Sequence, residues 1–513
     1  MSKKIDNLRT IITENLRIQR HSEDVEYVDT NNLIGDLKAK QNHVVFARRG
    51  CGKTLLLFKS ADQTPDNTRV IYLNCEDFKR HSFPDVLLEI LESIFVEIRR
   101  NLNSWFGKKR ALRDIVDKIV KDIEDIKEKP DVSEAEIKET YESGSSKSLN
   151  PTASLSKSGL NFGISASNSS TASARVEKAF KEHKFKLRDL DRGLPSYKRG
   201  IKDFFALSKN VKFIYIQLDD LYHLDRLHQA FVVDYLHRLC KDLPLFFKIA
   251  TLRHVSTLYV DRNGQPFGAQ ERHDYQPVNI DYDFSDFNRT KQRNREILLG
   301  FAEKAGMSKS ELDNIFKGEG FSRLVMAGGG VPRDVMSLFL EMLTSVQSSD
   351  GRIGKDDVRI NSRANFERRI EELKQDSQER EQEGLLKGIY LIRQFCLEKK
   401  INIFMVSEEE LKRNDQMRAL IYRLLDYRII HSCASALTHK SKEGTYHAFA
   451  IDIGCYAHLR KLDGRFNEID VADNDAKEKM RSAPILSEAW LEGELKGLVA
   501  SDIESELLTE MEL

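Results

Sequence analysis

The feature that most constrains the fold is a glycine-bearing loop between an apolar strand and the start of a helix. It reads Val44-Val45-Phe46-Ala47-Arg48-Arg49-Gly50-Cys51-Gly52-Lys53-Thr54-Leu55-Leu56-Leu57. Such a loop presents backbone N–H groups to a polyphosphate, and the positive end of the helix adds to the attraction. In this pattern the lysine reaches the β- and γ-phosphates and the hydroxyl holds Mg²⁺. The stretch therefore predicts a phosphate site that uses Arg49, Gly50, Cys51, Gly52, Lys53, Thr54 and Leu55.

The loop departs from the usual pattern G-x-x-x-x-G-K-[ST] at one position. Ala47 stands where the first glycine is expected, while Gly52, Lys53 and Thr54 keep their places. The strand, loop and helix order around them is the one that a phosphate loop requires. The alternative is a loop that binds nucleotide without hydrolysing it.

A second apolar strand ends in two acids. Val211–Leu218 is followed directly by Asp219 and Asp220. In a phosphate-transfer site the first acid holds Mg²⁺ through water, and the second polarises the attacking water. Paired acids after a strand also occur as simple turn formers. We expect Asp219 to be a metal ligand together with Thr54, and Asp220 to be catalytic together with Lys53.

Two further stretches place polar groups near the same phosphates. The strand Leu245–Thr251 runs into Leu252-Arg253-His254, so Thr251 or Arg253 is expected to sense the γ-phosphate. The alternative for Arg253 is a surface ion pair. Later, Ala327-Gly328-Gly329-Gly330-Val331-Pro332-Arg333 breaks one helix and starts another. Pro332 and Arg333 are expected on a small lid over the nucleotide, where the arginine pairs with phosphate. The alternative is a plain helix–helix turn.

Composition limits the remaining possibilities. A chain of 513 residues is too long for one core and indicates two or three domains. Lysine plus arginine and aspartate plus glutamate both number 81, so any DNA contact must be local. The six cysteines show no C-x-x-C pair and are expected to be reduced thiols. With no apolar run of transmembrane length and no signal-peptide core, we expect a cytoplasmic protein without a membrane contact.

A serine-rich insertion occupies about residues 131–180. Low-complexity serine runs are usually flexible. Leu160-Asn161-Phe162-Gly163-Ile164-Ser165-Ala166 nevertheless alternates apolar and polar residues, which permits a short hairpin. The choice between a flexible insertion and an ordered hairpin is left open. If it is ordered, the insertion is expected to contact a neighbouring subunit or a partner.

The last part of the chain predicts a winged helix. Helices at Leu385–Leu397, Ser407–Lys412 and Asp415–Asp426 precede strands at Ile429–Ala434 and Tyr446–Ile453. A modest set of basic residues accompanies them, which leaves DNA contact and protein packing equally open: Arg418, Arg423, Arg428, Lys440 and Lys442. The tail from 463 to 513 is acidic and is expected to be a partner-binding helix or a lid, and a poor DNA contact.

Taken together, these motifs resemble AAA+ ATPases of the origin-recognition type, and they are also similar to the STAND signalling ATPases. The resemblance implies an α/β fold with a P-loop NTPase parallel sheet of AAA+ type. Its parts are an N-terminal helix and ATPase core (1–289), a helical lid (290–350), a C-terminal winged helix (355–462) and the acidic tail (463–513). It makes Ala47–Thr54 the Walker A motif, Asp219 and Asp220 the Walker B motif, Thr251 and Arg253 sensor 1, and Pro332 and Arg333 the lid motif.

One departure from the resemblance concerns the rate of hydrolysis. AAA+ motors usually place glutamate after the Mg²⁺-binding aspartate, whereas this chain has Asp220. The shorter acid reaches water less well, which favours slow hydrolysis and a switch over a motor. No arginine finger can be chosen among Arg226, Arg238, Arg262 and Arg272, because the choice needs a neighbouring subunit.

The expected function is therefore an ATP-binding, Mg²⁺-dependent switch ATPase. Its nucleotide state is expected to control assembly with itself, as a homo-oligomer, or with a separate effector protein. By analogy, bacterial proteins of this kind are ATPase components of phage-defence operons. The alternatives are an ATP-dependent DNA-binding loader or initiator and a scaffold that binds ATP without turnover.

Overall fold

The computed structural model describes residues 2–16, 26–29, 31–79, 81, 83–102, 108–129, 160, 162–164, 184–262, 265–349, 351–377, 379–457 and 466–496. Most of the serine-rich insertion and the end of the acidic tail lie outside these ranges. The two alternatives for the insertion can therefore be addressed only at 160 and 162–164.

A five-stranded parallel sheet organises the first part of the chain. Its strands lie in the order β2–β3–β4–β1–β7. Their bounds are β1 (His43–Phe46), β2 (Thr68–Asn74), β3 (Phe213–Asp219), β4 (Leu245–Thr251) and β7 (Gln276–Asn279). The central strands are apolar and almost fully buried, as parallel strands covered on both faces must be. The predicted α/β fold with a parallel P-loop sheet is confirmed.

Helices cover both faces of this sheet. They are α2 (Leu33–Lys38), α3 (Lys53–Asp62), α4 (Asp85–Arg100), α5 (Lys108–Lys127), α6 (Lys184–Leu207) and α7 (Arg226–Cys240). Helices α4 and α5 pack against each other because each carries an apolar stripe at helical spacing. An antiparallel hairpin of β5 (Tyr259–Arg262) and β6 (Gln265–Gly268), which the sequence reading missed, packs against α7.

Four helices form the lid that follows the sheet. They are α8 (Phe287–Lys304), α9 (Lys309–Asp313), α10 (Gly320–Ala327) and α11 (Pro332–Ser349). The turn between α10 and α11 is the predicted glycine run, and Pro332 begins α11 as expected. This turn brings the start of α11 against the loop after β1, where the backbone N–H of Arg333 donates to the Gly50 carbonyl at 3.3 Å.

Residues 355–457, which we call the C-terminal unit, contain the predicted succession of helices and strands with one additional strand. Their elements are α12 (Lys355–Asp376), α13 (Glu379–Glu398), β8 (Ile403–Ser407), α14 (Glu408–Arg413), α15 (Asp415–Asp426), β9 (Ile430–Thr438) and β10 (Thr445–Ile451). The strands form an antiparallel sheet in the order β8–β10–β9. Strand β8 was missed because its five residues lie between two helical patterns.

The described part of the tail packs on this unit and does not extend away from it. Between helices α16 (Ala476–Met480) and α17 (Glu488–Leu495) the tail pairs with Met405 of β8, whose backbone N–H donates to the Pro484 carbonyl and whose carbonyl accepts from the Leu486 N–H, both at 2.8 Å. Trp490 packs edge-on against Phe395 of α13, with ring centroids 4.9 Å apart. The described tail residues therefore belong to the core of the C-terminal unit.

The apolar cores do not follow the predicted domain boundaries. The lid, the C-terminal unit, the tail and α1 (Ser2–Asn15) share one continuous cluster of buried residues. Two other clusters lie on the faces of the parallel sheet. Helix α1 thus packs with the lid, although it was predicted as part of the ATPase core. All six cysteines are buried free thiols, and no helix in the described ranges is both long and apolar enough to span a membrane.

Candidate functional site

The loop after β1 curves tightly because two glycines adopt backbone angles that other residues rarely take. Gly50 has a φ of 88° and Gly52 a φ of 92°. A Cβ atom added at Gly50 would lie 2.9 Å from Arg333 Cβ and 2.9 Å from Val331 Cγ1, so the lid turn leaves no room for a side chain there. Gly52 is the N-cap residue of α3. The loop therefore directs its backbone and the positive end of α3 toward one space beneath the lid.

Lys53 lies inside this loop. Its Nζ donates to the carbonyl oxygens of Ala47 at 3.2 Å and Arg48 at 3.4 Å, and lies 3.9 Å from Asp220 Oδ1. The side chain is only 4% exposed. The lysine is thus held between the loop and the acid that ends β3, which is where a phosphate-binding cation is needed.

Asp219, the last residue of β3, meets the loop from the other side. Its carboxylate is hydrogen-bonded to the Thr54 hydroxyl, and Tyr72 of β2 donates its hydroxyl to Oδ2 at 2.9 Å. Burial, and next the neighbouring Asp220, raise the pKa of Asp219 to about 6, while Thr54, Lys53 and Tyr72 oppose the shift. The two predicted metal ligands, Thr54 and Asp219, are therefore in direct contact. Tyr72 is a member of the site that the sequence reading missed.

The two residues predicted to sense phosphate differ in their surroundings. Thr251 ends β4 next to β1 and shares a 2.5 Å hydrogen bond with Ser256. Arg253 instead pairs with Glu271 at 3.0 Å and stacks over the Phe46 ring at 4.6 Å, with 40% of its side chain exposed. The structure thus gives Arg253 the surface ion pair that was the alternative, and Thr251 is the better placed sensor candidate.

Arg333 at the start of α11 faces the loop. The described residues offer no hydrogen-bond partner to its buried Nη2 atom. Its Nε lies 3.2 Å from where a Cβ on Gly50 would stand. Burying a guanidinium nitrogen without a hydrogen-bond partner lowers the stability of the folded protein, and a ligand that accepts a hydrogen bond from it would remove this cost. The lid therefore presents a cation to the space above the loop.

A cavity of about 570 Å³ opens between the loop, the lid and the N-terminal segment. This volume is in the range of small-molecule sites. Its walls include Tyr27 and Val28 of the segment before α2, and Pro332 and Arg333 of the lid. Helix α1 adds a wall that the sequence reading did not place here, with the residues Ile12, Asn15 and Leu16. Helix α1 buries Leu8 and Ile12 on one face, but no local sequence pattern identifies the element that this face packs against.

A second arginine of the lid, Arg293 of α8, binds the backbone of the phosphate loop. It donates to the carbonyl oxygens of Ile280 at 2.7 Å and Cys51 at 3.2 Å, and stacks on the Tyr282 ring at 4.6 Å. Its pattern in the sequence is that of an ordinary surface arginine, so nothing pointed to this role. Through Arg293 the position of α8 fixes the backbone of the phosphate loop.

The C-terminal unit contacts two loops of the site, the one after β1 and the one after β4. Arg49, predicted as a phosphate contact, forms an ion pair with Asp376 at the end of α12. Asp426 at the end of α15 accepts hydrogen bonds from the backbone N–H groups of His254 at 2.7 Å and Val255 at 2.8 Å. The loop that binds phosphate and the loop that follows the sensor strand are therefore both held by the same unit.

A third contact involves one of the arginine-finger candidates. Arg226, at the start of α7, donates two hydrogen bonds to Glu381 of α13, at 3.2 Å and 2.9 Å. Arg423 of α15 pairs with the same fully buried carboxylate. The guanidinium of Arg226 is thus engaged within its own chain.

A buried charge network joins the phosphate loop, the lid and the C-terminal unit. Arg48 pairs with Asp281 at 2.7 Å, donates to the Gly329 carbonyl at 3.0 Å and lies 3.4 Å from His431 Nδ1. Asp334 of the lid pairs with Arg428 at 2.8 Å and also with Arg369. Because such charges are costly to bury alone, the three parts are held in one arrangement.

These ion pairs correct the predicted basic surface of the C-terminal unit. Arg423 and Arg428 are buried in ion pairs with Glu381 and Asp334. Of the more exposed residues, Arg418 pairs with Asp415, and Lys440 pairs with Glu478 at 3.0 Å. The sequence analysis treated all five basic residues as one basic surface. Ion pairs with residues distant in the chain leave no signal in the neighbouring sequence, so the burial of Arg423 and Arg428 could not be predicted. The arginines of α15 and its end do not form an exposed basic face.

The comparisons with known proteins give one match by family and several by structure. The Walker-type ATPase paby2304 of Pyrococcus abyssi is 12% identical, with a TM-score of 0.39, and the match covers 87% of this chain and 99% of that one. Drosophila ORC bound to DNA is 11% identical, with a TM-score of 0.33, over 89% and 92% of the two chains. At this level of similarity neither structure informs the chemistry of the site. No curated protein matches the chain.

The family match is more extensive. It begins at residue 110, after the phosphate loop, and runs through β3, β4, the lid and most of the C-terminal unit. The chain belongs to the ORC-CDC6-like family, whose model matches residues 110–449, more than half of its length.

Proposed function

We propose that this protein is an ATP-binding and ATP-hydrolysing switch whose nucleotide state controls the position of the C-terminal unit. Through that position it controls assembly with itself or with a partner effector. Membership of an ATPase family supports nucleotide binding. The observation that carries the switch is the pair of contacts, Arg49 with Asp376 and Asp426 with the His254 and Val255 N–H groups. Both contacts hold loops that border the expected γ-phosphate position.

The residues around the loop fit a nucleoside triphosphate with Mg²⁺. The unpartnered Nη2 of Arg333, the backbone curve at Gly50 and Nζ of Lys53 supply positive charge to one space. Thr54 and Asp219 are oxygen ligands of the kind that Mg²⁺ prefers, and they would hold the ion between them. Bound there, Mg²⁺ would neutralise charge on the β- and γ-phosphate oxygens.

The acid after the metal ligand supports slow hydrolysis. Asp220 has a φ of 50°, which turns its side chain away from the strand and toward Lys53 at 3.9 Å. As general base it would orient the attacking water, but its side chain is one methylene shorter than glutamate. Slow turnover suits a switch, because each nucleotide state then lasts long enough to be read.

Assembly is the expected output of the switch. With Arg226 held by Glu381, this arginine is withdrawn from any neighbouring subunit. Movement of the C-terminal unit would release it together with Arg49. We therefore assign the described arrangement to the resting state, and expect the nucleotide-driven state to expose the surface that assembles.

Two measurements test this proposal. Purified protein should hydrolyse ATP in the presence of Mg²⁺, and Lys53→Ala should abolish turnover, because no other described cation lies between the loop and Asp220. Native mass measurement with ADP and with a slowly hydrolysed ATP analogue should give different assemblies. Equal hydrolysis by wild type and Lys53→Ala would remove the enzymatic claim. Turnover without any nucleotide-dependent assembly would remove the switch.

The identity of the partner is a further part of the proposal. In the analogy drawn from sequence, the effector is a separate protein and the setting is a phage-defence operon. The genes beside this one provide the test, since an adjacent effector gene would support that reading. ATP-dependent, salt-sensitive DNA binding would favour the loader reading, and partner binding unchanged in Asp220→Asn would favour a scaffold.

A further inference from the structure

A short part of the serine-rich insertion lies on the C-terminal unit. Leu160, Phe162 and Ile164 are 0%, 4% and 2% exposed. All three belong to the apolar cluster that the lid and the C-terminal unit share. Their alternate spacing was the pattern that permitted an ordered segment. Three nearly fully buried apolar side chains from a serine-rich stretch indicate a specific docking site.

Gln416 of α15 holds the main chain of this segment. The backbone N–H of Phe162 donates to Gln416 Oε1 at 3.3 Å, and Gln416 Nε2 donates to the carbonyl oxygen of Ile164 at 2.9 Å. One amide side chain thus satisfies a donor and an acceptor of an irregular segment that forms no sheet ladder at these positions. This pairing recognises a peptide backbone.

Gly384 of α13 forms the other wall of the docking site. A Cβ atom added to it would lie 1.8 Å from the carbonyl oxygen of Phe162, and its three nearest atoms all belong to Phe162. A glycine inside a helix lowers the stability of that helix. The close approach of Phe162 explains why glycine stands at position 384, because the docked segment occupies the space that a side chain would need.

The segment connects two units of the protein. In the chain it lies between α5 and α6, which pack on each other beside the parallel sheet, whereas its docking site is on α13 and α15. Its docking therefore adds an apolar link between the ATPase core and the C-terminal unit, besides the polar contacts of Asp376, Glu381 and Asp426 and the covalent connection through the lid and α12.

We propose that Leu160, Phe162, Gly163 and Ile164 form a releasable clasp, and that Gly384 and Gln416 define a peptide-docking groove for it. The groove accepts a segment with apolar residues at alternate positions and a main chain free to pair with Gln416. The occupant is this chain's own clasp. A filled groove keeps the C-terminal unit on the nucleotide site, a consequence that rests on the proposed function, whereas the docking itself does not.

A peptide-binding experiment tests the docking. The probe is a fluorescent synthetic peptide of residues 158–166, added to full-length protein without nucleotide. Leu160→Ser with Phe162→Ser empties the groove, so this double variant should bind the peptide at least about tenfold more tightly than wild type, whose clasp competes. Adding Gly384→Ala should abolish the binding. The matched control is Gly493→Ala, a helical glycine with nothing within 4 Å of an added Cβ, and it should leave the binding unchanged.

A second variant guards against misfolding as an explanation. Gln416→Ala removes the two main-chain hydrogen bonds without inserting an atom, and in the double-variant background it should also weaken peptide binding. If a folded double variant binds no peptide, or binds it equally with and without Gly384→Ala, the proposed docking groove is wrong.

The role of the clasp has its own readout. Release of a fluorescent ADP analogue should be about tenfold faster from the Gly384→Ala protein than from the Gly493→Ala protein, because the C-terminal unit has lost one of its links. Peptide binding with unchanged ADP release would overturn the clasp as a lock and leave the groove standing. Absence of hydrolysis in the wild type, with peptide binding by the double variant intact, would instead count against the proposed ATPase function and leave the groove standing.

Discussion

Arg49 of the phosphate loop forms an ion pair with Asp376, the last residue of α12, although 327 positions separate them in the chain. The Asp376 side chain is only 7% exposed. An ion pair sheltered to this degree is screened less by salt than one on the surface. The contact means that the C-terminal unit holds the residue next to Gly50, in the loop where a phosphate is expected to bind, and so it links the unit to the nucleotide site.

Removing this contact should loosen the nucleotide site. Asp376→Asn keeps the shape of the side chain and removes its charge, so Arg49 is no longer held and the C-terminal unit opens more often. We expect release of a fluorescent ADP analogue to become roughly five times faster, since one partly buried ion pair is worth about 1 kcal/mol. Stopped-flow displacement by excess ADP measures this rate.

The matched control for that experiment lies on the same helix. Asp356 of α12 is 88% exposed, and its one ion pair within the described ranges is with Arg359, one turn away. Asp356→Asn should leave release unchanged. If both variants behave like wild type, the Arg49 contact does not restrain the site.

Much of the site could be predicted from local sequence. The loop from Ala47 to Thr54, the acids after β3 and the start of α11 at Pro332 are each short patterns whose chemistry depends on neighbours in the chain. The parallel sheet then brings them to one edge, because Thr251 of β4 lies beside Phe46 of β1. Such patterns are local, and their positions follow from the rule that ligands bind at the carboxyl ends of parallel strands.

The contacts made by the C-terminal unit could not be predicted in this way. Asp376, Glu381 and Asp426 are ordinary acids in charged helices, and nothing nearby in the sequence distinguishes them. Their partners lie more than 150 positions away. The same reason explains the error over Arg423, because a buried arginine with a distant partner has the local pattern of a surface arginine.

The two arginines near the site should differ in their effect on nucleotide affinity. Arg333 has a buried nitrogen without a partner among the described residues, whereas Arg253 is paired with Glu271. Arg333→Ala should weaken ATP binding by about ten- to a hundredfold, because a charge-assisted hydrogen bond to phosphate is worth about 1.5–3 kcal/mol. Arg253→Ala should change it less than about threefold. Isothermal titration with ATP measures both, and a larger loss in Arg253→Ala would reverse the assignment.

Tyr72 should act by positioning Asp219. Its hydroxyl donates to Oδ2 at 2.9 Å, and its ring packs on Phe58 at 4.7 Å, so Tyr72→Phe removes only the hydrogen bond. We expect the Mg²⁺ concentration for half-maximal ATPase activity to rise a few-fold, since a hydrogen bond to a metal-binding carboxylate holds it in the orientation that binds the ion. The control is Tyr215→Phe, which removes a similar 2.7 Å hydrogen bond to the Lys38 carbonyl. This bond lies toward the amino ends of the strands, away from the phosphate loop. An equal Mg²⁺ requirement in both variants would exclude the positioning role.

The network around Arg48 should make the protein less stable in acid. His431 is 1% exposed and lies between Arg48 and Asp452, at 3.4 Å and 3.1 Å. Burial lowers its pKa to about 4; the neighbouring Asp452 opposes this shift, and Arg369 and Arg48 add to it. The folded protein therefore keeps His431 neutral at a pH where the unfolded chain, with a pKa near 6.5, binds a proton.

The sign of the pH dependence follows from this difference. Between pH 6.5 and 4 the unfolded state binds more protons, so the free energy of unfolding should fall as the pH falls, by up to about 1.4 kcal/mol per pH unit for this one group. His431→Gln cannot take up the proton, so urea unfolding at several pH values should show a shallower slope than wild type. The exposed His273 provides the control for the substitution itself, and His273→Gln should keep the wild-type slope. A wild-type slope in His431→Gln would mean that the network tolerates a charged His431.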